Sequence, residues 1–182
     1  MLQITVELSP EGWDELKQEF VDPITITLQL EHSLVSISKW ESKWCKSFIT
    51  TPDKTIEETI DYVKCMTITP NVTEEVYKCL SNENITQINK YIAAPMTATY
   101  FNDSKQGKGV REAVTSELIY YWMISLNIPF DPCQDWHLNR LIALIRVCQI
   151  KNAPPKKMSR GEIMSRNAAL NAARKQQLNT KG

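Results

Sequence analysis

The side chains best suited to acid–base chemistry lie close together in one short stretch of this chain. His137 follows Asp135 by two residues, and the sequence has one other histidine, His32. An imidazole beside a carboxylate can move protons in a reaction, because its ordinary pKa lies near neutral pH. A histidine at a helix start with a hydrogen-bonded ring explains the same residues without catalysis, and we favour this interpretation.

Cys133 and His137 offer a second kind of chemistry, because residues four apart share one face of a helix. A thiolate and an imidazole are both zinc ligands, and another cysteine could supply a third. A tetrahedral site needs four ligands, and no CxxC or HExxH spacing supplies them. We therefore predict no metal site. The five cysteines are odd in number, and we expect reduced, mostly buried thiols.

Recognisable catalytic and cofactor-binding motifs are not found in the sequence. It contains no GxSxG nucleophile elbow, no P-loop and no GxGxxG dinucleotide fingerprint. We predict that the protein is not an enzyme and uses no cofactor.

Trp40 and Trp44 are four residues apart and therefore neighbours on one helical face. Such a pair can form an aromatic platform that binds a peptide or a nucleic-acid base. Packing inside the helical core is the alternative, and we favour it. Both residues nevertheless remain candidates for binding a partner.

Residues 151–182 carry the strongest charge imbalance of the chain. They hold eight Lys or Arg and one acid, Glu162, for a net charge of +7; residues 1–150 cancel it with thirteen bases against twenty acids. A basic arm on an acidic body is typical of acidic-partner binding or self-association. The candidate partner-binding cations are Arg160, Arg166, Arg174 and Lys175. A solvated, flexible end is the alternative, and the lack of interleaved aromatic residues makes nucleic acid a less favoured partner.

Pro154-Pro155 marks the boundary between the two regions, because a proline pair has no backbone donors and cannot continue a helix. We predict an acidic globular body over 1–152 and a basic, partly helical or disordered tail over 153–182. The tail has few large apolar residues, so its helix would be marginal by itself in water.

Two alternating apolar segments, 2–8 and 24–31, predict an N-terminal antiparallel β-hairpin. The connection over 13–20 fits either a short helix or a continued hairpin arm. Helical periodicity follows, so we predict an α+β fold, mainly α, with a multi-helix bundle. The predicted helices cover 33–48, 55–66, 73–80, 84–92, 115–126, 131–151 and 163–178. We also predict a short strand over 98–101 and an exposed loop over 102–109.

The helix over 115–126 is the most apolar, with apolar residues round most of its circumference. This pattern predicts a central, buried helix in which Trp122 is part of the core. Asp131 and Pro132 have the residue types of an N-cap and first helical position. Thr55 and Ser159 each precede a glutamate by three residues, which predicts a capping box at both helix starts.

The N-terminus has no basic and apolar regions of a signal peptide, so we expect no export. The longest apolar run, 118–124, is too short for a membrane span, so we expect no membrane partner. The length is that of one domain with a real core.

Four stretches together resemble the tail assembly chaperones of long-tailed double-stranded DNA phages. They are 28–44 (LQLEHSLVSISKWESKW), 94–101 (APMTATYF), 116–148 and 154–182. The resemblance implies a protein that binds the tape measure protein, keeps it soluble and promotes tail tube assembly around it. It also implies a host-cytoplasmic protein that is absent from the mature virion. No residue-level site comes with the resemblance.

Further partners are implied by the same resemblance. They are the major tail tube protein and a longer form made by programmed ribosomal frameshifting, of which this chain would be the short form. The opposite charges of tail and body separately favour association with further copies of the chain. Two other classes of function stay open. One is a structural tail component of the virion, and the other is a small nucleic-acid-binding protein that uses the basic arm.

Overall fold

The computed structural model describes residues 1–10, 12–14, 18–101, 113–154 and 159–179. The chain has an N-terminal antiparallel hairpin followed by helices, so the prediction of an α+β, mainly α fold is confirmed. Its contacts divide into two units, Met1–Gln149 and Ile150–Gly182. This division falls in the last turn of a helix that ends at Asn152, just before the proline pair. Independent folding of the body stays a prediction.

The hairpin is built from four strands that form two antiparallel pairs. Strand β1 (Leu2–Ser9) pairs with β4 (Ile24–Leu30), and β2 (Gly12–Asp14) pairs with β3 (Glu19–Val21). The described part of the connection is therefore a continued hairpin arm. Leu2 lies opposite Leu30, and the register shifts between Glu7 and Ser9. A shift of this kind adds local twist where the arm continues.

Alternation along the two long strands places one apolar face against the helices. Ile4 and Val6 of β1 and Leu28 and Leu30 of β4 are all buried. The opposite face carries residues such as Thr5, which is exposed. The period of two in the sequence therefore determines which face of the hairpin reaches the core.

The helices follow the hairpin in chain order. They are α1 (Leu34–Trp44), α2 (Ile56–Met66), α3 (Glu74–Lys78), α4 (Asn82–Ala93), α5 (Ser116–Ser125), α6 (Phe130–Cys133), α7 (Leu138–Asn152) and α8 (Arg160–Leu178). Helix α1 packs against α2 and α5, and α4 packs against β1. Both predicted capping boxes are present, at Thr55 before α2 and at Ser159 before α8.

Helix α1 lies at the centre of the core. Leu34, Ile37 and Trp40 have no measurable exposure. Helix α5 was predicted for this position, and that prediction is wrong. Its residues Ile119 and Met123 are buried, but Trp122 is only half-buried and the outer side of the helix is exposed. Uniform apolar composition does not reveal which side of a helix has a neighbour.

The predicted continuous helix over 131–151 is also wrong. Asp131 has the extended backbone angles φ −87° and ψ 131°, and the long helix α7 begins at Leu138. Extended angles suit an N-cap, so the interruption lies further on, where residues 134–136 form a turn and a bend and His137 pairs with Ser33 as an isolated β-bridge. Residues 98–101 form no strand, and the predicted loop over 102–109 lies outside the described residues.

Candidate functional site

The two histidines, far apart in sequence, lie against each other in the interior of the body. His32 follows β4, and His137 immediately precedes α7. The Leu138 N–H donates to the His32 carbonyl at 2.7 Å, which holds these two corners of the chain together. The ring centroids are 5.0 Å apart in an edge-to-face arrangement, and both side chains are buried.

Hydrogen bonds account for both nitrogens of the His137 ring. Nε2–H donates to the Tyr91 carbonyl at 3.0 Å, and Nδ1 accepts from the Asn139 N–H at 3.2 Å. With one nitrogen donating and the other accepting, the His137 ring is neutral. His32 Nδ1 lies 2.5 Å from the Tyr62 hydroxyl.

Burial governs the protonation of this histidine pair. Burial, and secondly the neighbouring His137, lower the pKa of His32 to about 3. Burial also lowers the pKa of His137, and it raises the pKa of the Tyr62 hydroxyl. Both imidazoles are therefore neutral at pH 7. His32 has a low pKa and its ring is already hydrogen-bonded to Tyr62, so it is better suited to holding two parts of the fold together than to transferring protons in a reaction.

The His137–Asp135 pair does not form. Asp135 is exposed, whereas the His137 ring is buried and bonded to backbone groups. Cys133 lies in α6 and His137 precedes α7, so the predicted shared helix face does not exist. Among the described residues, no three His, Cys, Asp or Glu side chains are grouped to hold a metal ion.

A cavity of about 610 Å³ opens beside His32. Its walls are polar and apolar in similar measure, and among the described residues that line it Lys54 is the one cation and no acid is present. The Lys54 ammonium lies 4.2 Å from the Phe48 ring centroid and donates to the Thr51 carbonyl at 2.7 Å. The Asn139 amide in the same wall donates to two backbone carbonyls. The Lys54 and Asn139 side chains are thus bonded to backbone carbonyls of the protein itself.

Trp40 does not present its ring to a partner. It is fully buried, and its indole N–H donates to the Glu58 carbonyl at 2.8 Å. The ring also packs edge-to-face on Phe48, with centroids 5.2 Å apart. The partner-binding hypothesis is therefore wrong for Trp40, because α1 directs this residue into the core.

Trp44 lies at the end of α1 and is half-buried. Two ammonium groups flank its ring, Lys43 at 5.6 Å and Lys46 at 6.0 Å from the centroid. Its indole N–H is buried and has no hydrogen-bond partner among the described residues. The binding hypothesis for Trp44 stays a prediction.

Two buried carboxylates lie on α2 where it faces α1. Glu58 caps its own helix and bonds the Lys46 ammonium at 2.6 Å, and that bond and the Thr55 N–H lower its pKa. Burial raises the pKa of Asp61, but Lys43 and Lys64 outweigh that effect, and the net shift is downward. These lysines lie at the rim with partly exposed side chains. The carboxylates therefore tie α2 to α1, and their negative charge is matched locally.

The outer side of α5 exposes apolar side chains to solvent. Tyr121 is 62% exposed and Ile124 is 63% exposed, and their spacing of three makes them neighbours. Phe130, just after the helix, is 40% exposed and packs edge-to-face on Tyr120. We call Tyr121, Ile124 and Phe130 the α5 outer surface. Sequence reasoning missed it, although the apolar residues on every side of the helix were its signal.

The four cations predicted to bind partners all lie on α8, where every described residue is exposed. At 100° per residue, Arg166 and Arg174 fall on the same side as Ile163 and Leu170. Lys175 lies further round the helix. Helix α8 therefore presents a short apolar stripe with arginines beside it, rather than one basic face.

None of the helices in the described ranges is long and apolar enough to cross a membrane. Comparisons of the chain with protein-family models, with curated proteins and with solved structures give no match.

Proposed function

We propose that this protein is a phage tail assembly chaperone that binds the tape measure protein in the host cytoplasm and leaves before the virion is mature. The sequence resemblance over most of the chain is the source of this proposal. One structural observation supports it: helix α5 buries Ile119 and Met123 but exposes Tyr121 and Ile124. An apolar helix face open to solvent is a feature of surfaces that bind partners.

A tape measure protein is a long helical client with apolar stripes that aggregate when they are uncovered. An amphipathic helix binds by laying its apolar side against an apolar surface of its partner. The α5 outer surface provides two aromatic rings and one aliphatic side chain for this purpose. Rigid aromatic side chains contribute much of the energy in such contacts. The surface is small, which suits a client that must be released.

The experiment is co-expression of this chain and its longer form with the downstream tape measure protein, followed by co-purification. We expect the client to become soluble and to purify with the chaperone. The double variant Tyr121→Ser/Ile124→Ser should reduce the recovered client about tenfold, which corresponds to about 1.4 kcal/mol. The matched control is Ile56→Ser/Ile68→Ser, since Ile56 and Ile68 are also exposed, at 81% and 54%, but lie outside α5.

If the client stays insoluble and unbound with both forms present, the chaperone proposal fails. Helix α8 would then favour nucleic-acid binding, because it exposes four cations. Salt-dependent DNA binding that is lost in Arg166→Glu/Arg174→Glu would support that second function. Recovery of the chain by mass spectrometry of purified virions would instead indicate a structural tail component.

A further inference from the structure

The cavity beside His32 has the size of a small-molecule site. It lies wholly within the unit Met1–Gln149, and its volume of about 610 Å³ falls in the range that such sites occupy. Two of its lining residues, His32 and Tyr62, are buried, whereas Pro52 and Asn89 are exposed. The cavity therefore leads from the interior of the body to its surface.

Lys54 supplies the charge of this cavity. Its side chain is half-buried, and its ammonium donates to the Thr51 carbonyl at 2.7 Å. An ammonium has three N–H donors, so two remain for a further acceptor. In the described ranges no salt bridge to Lys54 is present, and none of the lining residues is acidic.

Burial makes this cation unfavourable. It lowers the pKa of Lys54, and the charge of Glu58 opposes the effect only in part. The Glu58 carboxylate is already bonded to the Lys46 ammonium at 2.6 Å. A charge that is partly removed from water is stabilised by an opposite charge within hydrogen-bond distance. An anion in the cavity would supply that charge.

The apolar part of the lining is mostly aliphatic. It includes Ile49, Pro52, Ile92, Leu138 and Ile142, which come from the α1–α2 connection and from helices α4 and α7. The ring of Phe48 is also in the wall, but Tyr62 stacks on it with centroids 3.9 Å apart and Lys54 lies 4.2 Å from its centroid. An alkyl chain therefore matches this lining better than an aromatic ring does.

We propose that this cavity binds a small aliphatic carboxylate. The carboxylate accepts hydrogen bonds from the Lys54 ammonium, and the alkyl chain contacts Ile92 and Ile142. A monoanion matches the single cation, whereas a phosphate group carries more charge and more acceptor oxygens than one ammonium satisfies. The site has no residue in common with the α5 outer surface. It therefore does not depend on the chaperone proposal.

The experiment is calorimetric titration of the full-length chain with sodium octanoate at pH 7. The matched ligands are 1-octanol, which keeps the chain without the charge, and butyrate, which keeps the charge with a shorter chain. We expect octanoate to bind at least about tenfold more tightly than either, because each lacks one of the two contacts.

Lys54→Met removes the charge and keeps an unbranched side chain. It should weaken octanoate binding about tenfold and leave octanol binding unchanged, which also shows that the cavity is intact. Lys54→Arg keeps the charge and should retain octanoate binding. The matched control is Lys78→Met, since Lys78 is exposed on α3, and it should have no effect on either ligand.

Amide chemical shifts locate the bound octanoate. Shifts confined to the cavity, at Thr59 and Asn139 among others, would support the proposal. Three results would overturn it: no octanoate binding at millimolar concentration, equal affinity for octanoate and octanol in the wild type, or shifts centred on α5 instead of the cavity. The first two use the unaltered chain, so they decide the matter even when Lys54→Met does not fold.

Discussion

The Glu41 carboxylate accepts a hydrogen bond from the Ser116 N–H at 2.7 Å, and so joins the last turn of α1 to the first residue of α5. Its other oxygen accepts from the Phe48 N–H at 2.7 Å. The side chain is buried between these two donors. A carboxylate at a helix N-terminus is favoured by the helix dipole and satisfies an N–H that has no partner within the helix. One side chain thus fixes both the loop after α1 and the position of α5.

Glu41→Gln should destabilise the protein although its shape hardly changes. A glutamine offers one acceptor oxygen, so its amide NH₂ would face one of the two N–H donors. We expect a loss of about 2 kcal/mol in the free energy of unfolding, measured by urea denaturation. Glu57→Gln is the matched control, since Glu57 is exposed in α2, and it should change stability by less than about 0.5 kcal/mol. Equal stability of both variants would contradict this role of Glu41.

Acid should destabilise the protein through its buried histidines. The folded-state pKa of His32 is about 3 and that of His137 is also lowered, whereas unfolded histidine titrates near 6.5. Below pH 6.5 the unfolded chain therefore binds protons that the folded chain does not. Stability is complete above that pH and should fall by up to about 1.4 kcal/mol per pH unit for His32 as pH decreases.

His32→Asn tests the assignment, because the asparagine oxygen can replace Nδ1 as a partner of the Tyr62 hydroxyl. Urea denaturation at pH 7.0, 6.0 and 5.0 gives the dependence of the unfolding free energy on pH for the wild type and the variant. His137 remains in both proteins, and its pKa is also affected by two nearby charges: Glu31 raises it and the N-terminal amine lowers it. An unchanged slope in the variant would show that His32 does not contribute.

Trp40 and Trp122 differ in burial, so replacing each by alanine should reduce stability by different amounts. Trp40→Ala removes a fully buried indole and its bond to Glu58, and should cost about 3–5 kcal/mol. Trp122 is only half-buried, so Trp122→Ala should cost about 1–2 kcal/mol, roughly in proportion to the smaller area that it buries. Chemical denaturation measures both. A larger loss for Trp122 would place the centre of the core at α5 after all.

Truncation after Asn152 should shift the melting temperature only slightly. No residue of α8 is buried, and within the described ranges the buried apolar residues lie between Ile4 and Ile145. Differential scanning fluorimetry at low protein concentration measures the effect without self-association. A loss of several kcal/mol would show that residues 153–182 take part in the folded body.

Local signals in the sequence determined the elements. Alternation over Leu2–Ser9 and Ile24–Leu30 specifies strands because side chains point to opposite faces at every step. Thr55 and Ser159 mark helix starts because an N-cap bonds a backbone N–H only three residues away. Both kinds of signal depend on neighbours along the chain, and so they can be read without knowing the fold.

Tertiary structure alone decided which apolar surfaces are covered. Trp40 and Trp44 are equivalent in sequence, yet α2 buries the first and leaves the second half-exposed. Helix α5 is apolar on all sides, and its position beside α1 determines that Tyr121 and Ile124 face solvent. The Glu41–Ser116 bond and the His32–His137 contact join residues that are distant in the chain. Such pairings depend on how whole elements pack, and composition and periodicity do not encode that directly.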